Sequence, residues 1–404
     1  MRKVEVKPGV YWVGAVDWAV RDFHGYITPK GSTYNNYLIM DDEITLVDAV
    51  KHEFIDESVA LIRQYTDPAA IKHIVVNHIE PDHGGGLEVM VKLAPEAQIY
   101  CTKKAEQGLG RMFDISTWKI NIVKTGDQVK IGRKTLVFLE TPMLHWPDSM
   151  MTYIPEDKLL LSQDAFGQHI ATTQRFDDEL LECTSISELD DAVWDYYANI
   201  LMPFGSLITS KLAEVAKLGL EIDCIAPDHG IIWRQNPGKV LQMYADMASG
   251  KCDERVVIIY DTMWHSTEKL IPHILAGIQS AGMTCKVIKL RSTPTSVAVK
   301  EFWRARGCLI GSPTLNNTLF PQVGDFLTNI EGLRPRHRLV SAFGSYGWGG
   351  GAVKNILKQC AEMKLDVVEP GVQVKYKATP EEEAQCFEFG RDFAEKTREY
   401  HKKF

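Results

Sequence analysis

Four side chains that can bind a metal, His78, Glu80, Asp82 and His83, fall within six residues in the stretch NHIEPDHGGG at 77–86. Imidazole nitrogens and carboxylate oxygens together suit first-row cations, and so dense a cluster can supply half of a metal site. The other half must come from distant segments rigid enough to hold it. Strand-like runs lead to three further donors: VFLETPMLH ends on His145, KLLLSQD on Asp164 and DCIAPDH on His229. IKHIVVNH leads in the same way into His78. A single histidine is more often a satisfied core or surface residue than a ligand, but the whole set is a strong joint signal. Donors at strand ends are expected to converge at one edge of a sheet. Gly84–Gly86 are expected to let the backbone pass close to the metals and to open a helix over GLEVMVKLA.

A chain of 404 residues exceeds one ordinary core, so two domains are expected. The composition, 45% hydrophobic and 24% charged, is that of a globular protein and argues against a disordered or fibrous chain. No apolar stretch approaches the roughly 20 residues that cross a bilayer, and MRKVEVKPGVYWVG lacks the apolar core of a secretory signal. Eight cysteines stand without a CxxC pair, which reads against a disulfide framework or thiolate metal site and fits a reducing cytoplasm.

The polar break SGKCDER at 249–255 separates two rhythms, giving expected domains at 1–250 and 254–404. Upstream, short β-rich runs such as NNYLIM, EITLVDAV and TLVFLE alternate with helical stretches, as in mixed sheets covered by helices. Downstream, RVVIIY, CKVIKL, GCLIGS, RLVSAF and LDVVEPGV predict a five-strand, doubly wound parallel sheet with intervening helices. TPEEE at 379–383 predicts a capping box at the start of the last helix. Charge divides too. Residues 1–250 hold 23 basic and 36 acidic side chains, −13, and residues 251–404 hold 22 and 17, +5.

The metal motif resembles the dinuclear site of the metallo-β-lactamase superfamily, whose hydrolases carry H-x-H-x-D-H. Here Glu80 takes the second histidine's place, which is the mark of the flavodiiron proteins, and the resemblance covers essentially the whole chain. It implies an N-terminal metallo-β-lactamase-like αββα sandwich followed by a flavodoxin-like domain. It also implies two non-haem irons per chain. His78, Glu80 and His145 would hold one, Asp82, His83 and His229 the other, and Asp164 would bridge them. His83 is the ligand that swings away in some members. A third carboxylate adds hard, anionic oxygen, which suits iron better than zinc. His24 and Tyr26, in RDFHGY, would lie in the pocket above the irons. The aromatic cluster in WDYYANILMPF reads as helix core.

Three loops carry the flavin expectation. In YDTMWHSTEKL the residues Thr262, Met263, Trp264, His265, Ser266 and Thr267 follow the first strand, with hydroxyls and backbone N–H groups suited to a phosphate. Ser312, Pro313, Thr314, Leu315, Asn316 and Asn317 follow the third strand. Ser345, Tyr346, Gly347, Trp348, Gly349 and Gly350 follow the fourth. Loops in this order match the family's FMN domain, with Trp348 offering a stacking face.

The resemblance then implies a cytoplasmic oxidoreductase that reduces O2 to water, NO to N2O, or both. Rubredoxin or reduced coenzyme F420 would be the donor, supplied as a separate partner since no CxxC pairs follow the flavodoxin part. A head-to-tail homodimer, or a dimer of such dimers, is implied, and no nucleic-acid or membrane partner. Two alternatives stay open on the residues alone: a zinc hydrolase with an accessory flavodoxin domain, and an FMN electron carrier with a vestigial metal site.

Overall fold

The structure, a computed structural model, describes residues 3–404. Its chain divides into two compact units. One is formed by the chain up to Tyr196 together with Ser206–Ala245, the other by Tyr197–Gly205 and Asp246–Phe404. Among the described residues no helix is long and apolar enough to cross a membrane.

The first unit is built on two sheets. Seven strands, in spatial order Val4–Lys7, Val10–Trp12, Tyr37–Ile39, Thr45–Val47, His73–Val75, Gln98–Cys101 and Lys119–Ile122, form one. It runs antiparallel up to Thr45–Val47 and parallel beyond. Gln128–Lys130, Thr135–Glu140, Met150–Ile154, Leu159–Gln163 and Cys224–Pro227 form the other, antiparallel except for the last pair. Leu46, Ile74 and Val75 of the first sheet and Leu136, Phe138, Met150, Leu159 and Leu161 of the second share a single apolar core. The helices Ile55–Ile62, Leu87–Leu93 and Lys103–Met112 add Val59, Met90 and Leu109 to it. Every residue of Met150–Ile154 and Leu159–Gln163 is buried, which is why these strands read as continuous apolar runs rather than as alternating ones. This is the αββα sandwich.

The second unit carries one parallel sheet in the spatial order Cys285–Lys289, Asp253–Tyr260, Ala305–Pro313, Leu339–Tyr346, with a split fifth strand at the far edge. That order is the flavodoxin-like doubly wound one. The expected run LDVVEPGV divides into Asp366–Val367 and Val372–Lys375, both paired to Leu339–Tyr346. Pro370 has no N–H to donate between them, and a Cβ on Gly371 would collide with the Ala342 carbonyl, so the backbone crosses there as a bulge. Against the sheet, the helices Ile271–Ser280 and Pro380–His401 meet at glycines. A Cβ on Gly277 would strike the Phe387 carbonyl, and one on Gly390 the Ile274 carbonyl. The capping box is present: Thr379 accepts from Glu382 N, and Glu382 accepts from Thr379 N.

Candidate metal centre and cofactor cavity

The seven predicted donors come together at the C-terminal ends of strands from both sheets of the first unit. His78 follows His73–Val75 of the first sheet, while Asp164 directly follows Leu159–Gln163 and His229 follows Cys224–Pro227 of the second. His145 lies in the loop between Thr135–Glu140 and Met150–Ile154. The expectation of a single sheet edge is therefore corrected: the donors meet where two sheets end, because the sandwich brings both sets of C-terminal ends to one rim. Asp82 and His83 sit on a one-turn helix, Pro81–Gly84, that Pro81 starts at its first position. The glycines serve packing against protein rather than approach to a metal. A Cβ on Gly84 would meet the Ile79 carbonyl at 2.7 Å, and one on Gly86 the Val50 carbonyl at 2.9 Å.

The donors fall into two groups, His78, Glu80, His145 and Asp164 in one and Asp82, His83 and His229 in the other, with ligand atoms within 4.8 Å of one another in each. In the first, Glu80 Oε2 lies 3.2 Å from His78 Nε2 and 3.1 Å from His145 Nε2. Asp164 Oδ2 lies 3.1 Å from His145 Nε2 and 3.5 Å from His78 Nε2. In the second, Asp82 Oδ2 stands 3.0 Å from His229 Nε2 and 3.4 Å from His83 Nε2. The other oxygen of Asp164, Oδ1, stands 2.9 and 3.4 Å from His83 and His229. Each group thus forms a ring of alternating nitrogen and oxygen, and Asp164 belongs to both. An octahedral cation with bonds of about 2.1 Å has donor–donor edges of roughly 3.0 Å, the spacing these rings show.

Two further observations fit a pair of cations. Asp82 Oδ1 and Oδ2, Asp164 Oδ1 and both ring nitrogens of His83 are buried without a well-angled hydrogen bond, which is costly unless something else engages them. Among the described residues, every ion pair of Glu80, Asp82 and Asp164 is with a histidine, and none is with Lys or Arg. The imidazoles show the same demand for positive charge. Burial works to lower His78, but hydrogen bonds to Asp148 and Glu80 and the Asp164 charge outweigh it and push it up to about 10. Asp164 responds in the opposite direction: burial would raise its carboxyl, yet the His83 charge, the hydrogen bond from His145 and the close approach of His83 hold it well below the usual range. Two divalent cations meet this demand more directly than imidazolium ions.

Around the ligands the structure adds residues that the sequence did not mark. Asp148 Oδ2 lies 3.0 Å from His78 Nδ1 and accepts from Ile79 N at 3.0 Å. The Thr33 carbonyl is 2.6 Å from His229 Nδ1, and Asp228 Oδ2 is 3.4 Å from His83 Nδ1. These contacts aim Nε2 of His78, His229 and His83 inward, the usual support for a metal-binding histidine. The only trace of Asp148 in the sequence is its nearness to His145. Replacing Asp148 with Ala is expected to lower metal affinity roughly 10–100-fold, measured by chelator competition. Flavin content should not change, because Asp148 lies in the unit without the flavin loops.

His24 Nε2 is 2.8 Å from Glu80 Oε1, and Tyr26 is buried with its hydroxyl unpartnered, its ring 5.9 Å from that of His169. Tyr196 stands among these groups, with ring centroids 5.0 Å from His169 and 6.2 Å from His229. Tyr196 is 1% exposed, as the helix-core reading of WDYYANILMPF expects, and it also stands beside the ligands. The helix Ile186–Tyr196 ends beside the ligands, so its last side chain faces them.

In the second unit the three predicted loops close on a cavity of about 410 Å³. Its lining comes from those loops, apart from Tyr376, which belongs to a segment the sequence did not mark. Trp348 and Trp264 are 91% and 79% exposed. Indole faces left that open on a cavity rim suit a flat aromatic ring. Thr262, on the first of these loops, is buried with its hydroxyl unpartnered. The structure does not place every predicted loop residue on the lining. Thr267 is hydrogen-bonded to Ser345 at 2.8 Å, Ser312 accepts from Phe320 N, and His265 pairs with Glu268. Thr262, His265, Thr267, Ser312 and Gly350 lie on the same loops without lining the cavity.

A metallo-β-lactamase-like sandwich with two joined donor groups, followed by a flavodoxin-like domain, defines a metal- and flavin-dependent oxidoreductase class. Comparison with known proteins agrees. Residues 33–230 match the ODP family beta lactamase model, and residues 258–390 match the flavodoxin model. The nitric oxide reductase of Moorella thermoacetica is 45% identical over 97% of this chain and 98% of its own. Among solved structures, rubredoxin oxygen:oxidoreductase from Desulfovibrio gigas has a TM-score of 0.95 at 34% identity, covering 99% of both chains. The flavodiiron protein of Giardia intestinalis has a TM-score of 0.95 at 35% identity, covering 100% of this chain and 98% of that one. The chain belongs to the flavodiiron protein family, and it is an oxidoreductase.

Proposed function

We propose that the chain is a cytoplasmic reductase of dioxygen, nitric oxide or both, holding two iron ions on the seven donors of the first unit and FMN in the cavity of the second. The observation that carries this reading is Asp164, whose two oxygens join two donor rings in a chain that also builds a flavodoxin-like cavity. When bound, FMN takes electrons from the donor and the iron pair supplies them to the gas, dioxygen going to water and nitric oxide to nitrous oxide. Three carboxylates among the donors favour iron over zinc, and a hydrolase would leave the flavin cavity without a task.

The remaining roles fall to the chain's own side chains. Trp348 and Trp264 would hold the flavin ring, and Ser266 with the adjoining backbone would hold its phosphate. Asp148, Asp228 and the Thr33 carbonyl keep the imidazoles aimed. His24 is partly exposed and hydrogen-bonded to Glu80, so it links solvent to the site and can pass on the protons that both reductions consume. The rings of Phe23, Tyr26 and Tyr196 crowd around His169 and His229 and restrict water there. Rubredoxin or reduced coenzyme F420 is the donor, and the working assembly is a head-to-tail homodimer.

The test is anaerobic. Purified protein should be yellow and contain iron, and on reduction it should consume nitric oxide or dioxygen. Zinc without turnover, or flavin without metal, would overturn the reading. Donor docking gives a second expectation. The C-terminal part carries +5, so an acidic carrier such as rubredoxin is steered to it. Stopped-flow reduction of the flavin should slow as salt rises from low to physiological levels, where the screening length shrinks to about 8 Å. A rate flat across that range would remove steering from the account.

A further inference from the structure

A partly enclosed apolar cavity lies directly behind the metal ligands, within the first unit. Its wall includes Leu144, which precedes His145, and Ala165 and Phe166, which follow Asp164. Consecutive Cα atoms are about 3.8 Å apart, so the segments that present two of the ligands also form the cavity wall. The helix Gly205–Lys217 closes the far side with Leu212 and Val215.

Among the described residues, no polar atom faces the space. Lys211 contributes only its alkyl stem, its ammonium being paired with Glu214 at 2.7 Å. The Tyr244 hydroxyl accepts from Phe166 N at 2.8 Å. The cavity leaves about 20 Å³ for the centre of a water-sized sphere, more than the roughly 10–15 Å³ one water needs. Water gains nothing there, because it would find none of its two to four polar partners; cavities of this kind stay dry and take up xenon. A neutral diatomic molecule has the reverse preference. It forms only weak contacts with water and gains dispersion contacts with a close-fitting wall.

We propose that this cavity binds small apolar gas molecules and is the station that holds the gaseous substrate beside the metal centre. Gas binding stands on the lining alone, and the delivery role rests on the gas-reductase reading above. The two are separable by experiment. Crystals of the holoenzyme pressurised with xenon should show a xenon atom bounded by Leu144, Ala165, Leu212 and Val215. Val215→Phe fills the space: xenon should disappear and KM for the gas should rise several-fold, with kcat, metal and flavin content unchanged. Leu212→Ala enlarges it and should raise xenon occupancy, which keeps the test alive if the phenylalanine variant does not fold. A wild-type crystal without xenon at this position overturns the proposal. Xenon bound in the wild type, together with an unchanged KM in a folded Val215→Phe variant, overturns the delivery role. Xenon bound in a protein that reduces neither gas leaves the site standing and removes the functional reading instead.

Discussion

Asp164→Asn is expected to empty both halves of the metal centre at once. The side chain is 1% exposed, and its two oxygens face four imidazole nitrogens, two in each donor ring. Asparagine has nearly the same size, so the core should hold. It carries no charge, however, and it turns one oxygen into an N–H donor aimed at imidazole nitrogens. Outer-sphere substitutions alone cost roughly 10–100-fold in metal affinity, so loss of a shared ligand should exceed about 100-fold, and turnover should fall with it. The comparison is Asp82→Asn, which touches only the second ring. Metal per chain should fall to near zero in the first variant and by about half in the second. A thermal scan gives an independent reading, because a ligand bound only by the folded state stabilises it by mass action. Chelator should lower Tm in the wild type and leave it unmoved in Asp164→Asn. Equal metal loss in the two variants would show that Asp164 is not shared.

Mixing two inactive variants should restore activity, which is the other large effect. The metal donors all lie in one compact unit and the flavin loops all lie in the other, so each cofactor can be removed without touching the site of its counterpart. His78→Ala with Asp164→Ala removes the metals. Ser266→Asp with Trp348→Ala sets a negative charge against the phosphate and deletes the exposed stacking face. Each variant alone should be silent. In a head-to-tail dimer, the flavin of the first chain faces the metals of the second, so the heterodimer contains one complete pair. Transfer within a chain gives none. Co-expressed heterodimers, verified by mass and still inactive, would refute transfer between chains.

Much of the site was legible because its donors are chemically conspicuous and stand next to strand-like runs. His78, Glu80, Asp82 and His83 are close in sequence because a one-turn helix holds two of them directly after a buried strand. The more distant donors could be found because each follows an apolar run that ends at the same rim. What escaped notice has no such signal. Asp148 looks like any loop aspartate until its carboxylate is seen against His78 Nδ1. Tyr196 ends a helix whose periodicity reports only that it is amphipathic, so the sequence assigned to the core a ring that stands beside the ligands. Tyr376 reaches the flavin cavity from just beyond the split edge strand, outside all three predicted loops.

The split between sequence and tertiary structure follows from the range of the forces involved. Strand and helix periodicity, the capping box at Thr379, the parallel flavodoxin-like series and the identity of the donors are local properties, and they could be read from the chain without its coordinates. The meeting of two sheets at one rim, the two oxygens of Asp164 facing different histidine pairs, and the apolar space behind His145 are not local. They depend on how segments separated by scores of residues pack, and that packing is settled by burial of the shared core. Composition determines that the core must exist, and only the folded chain decides which side chains it brings face to face.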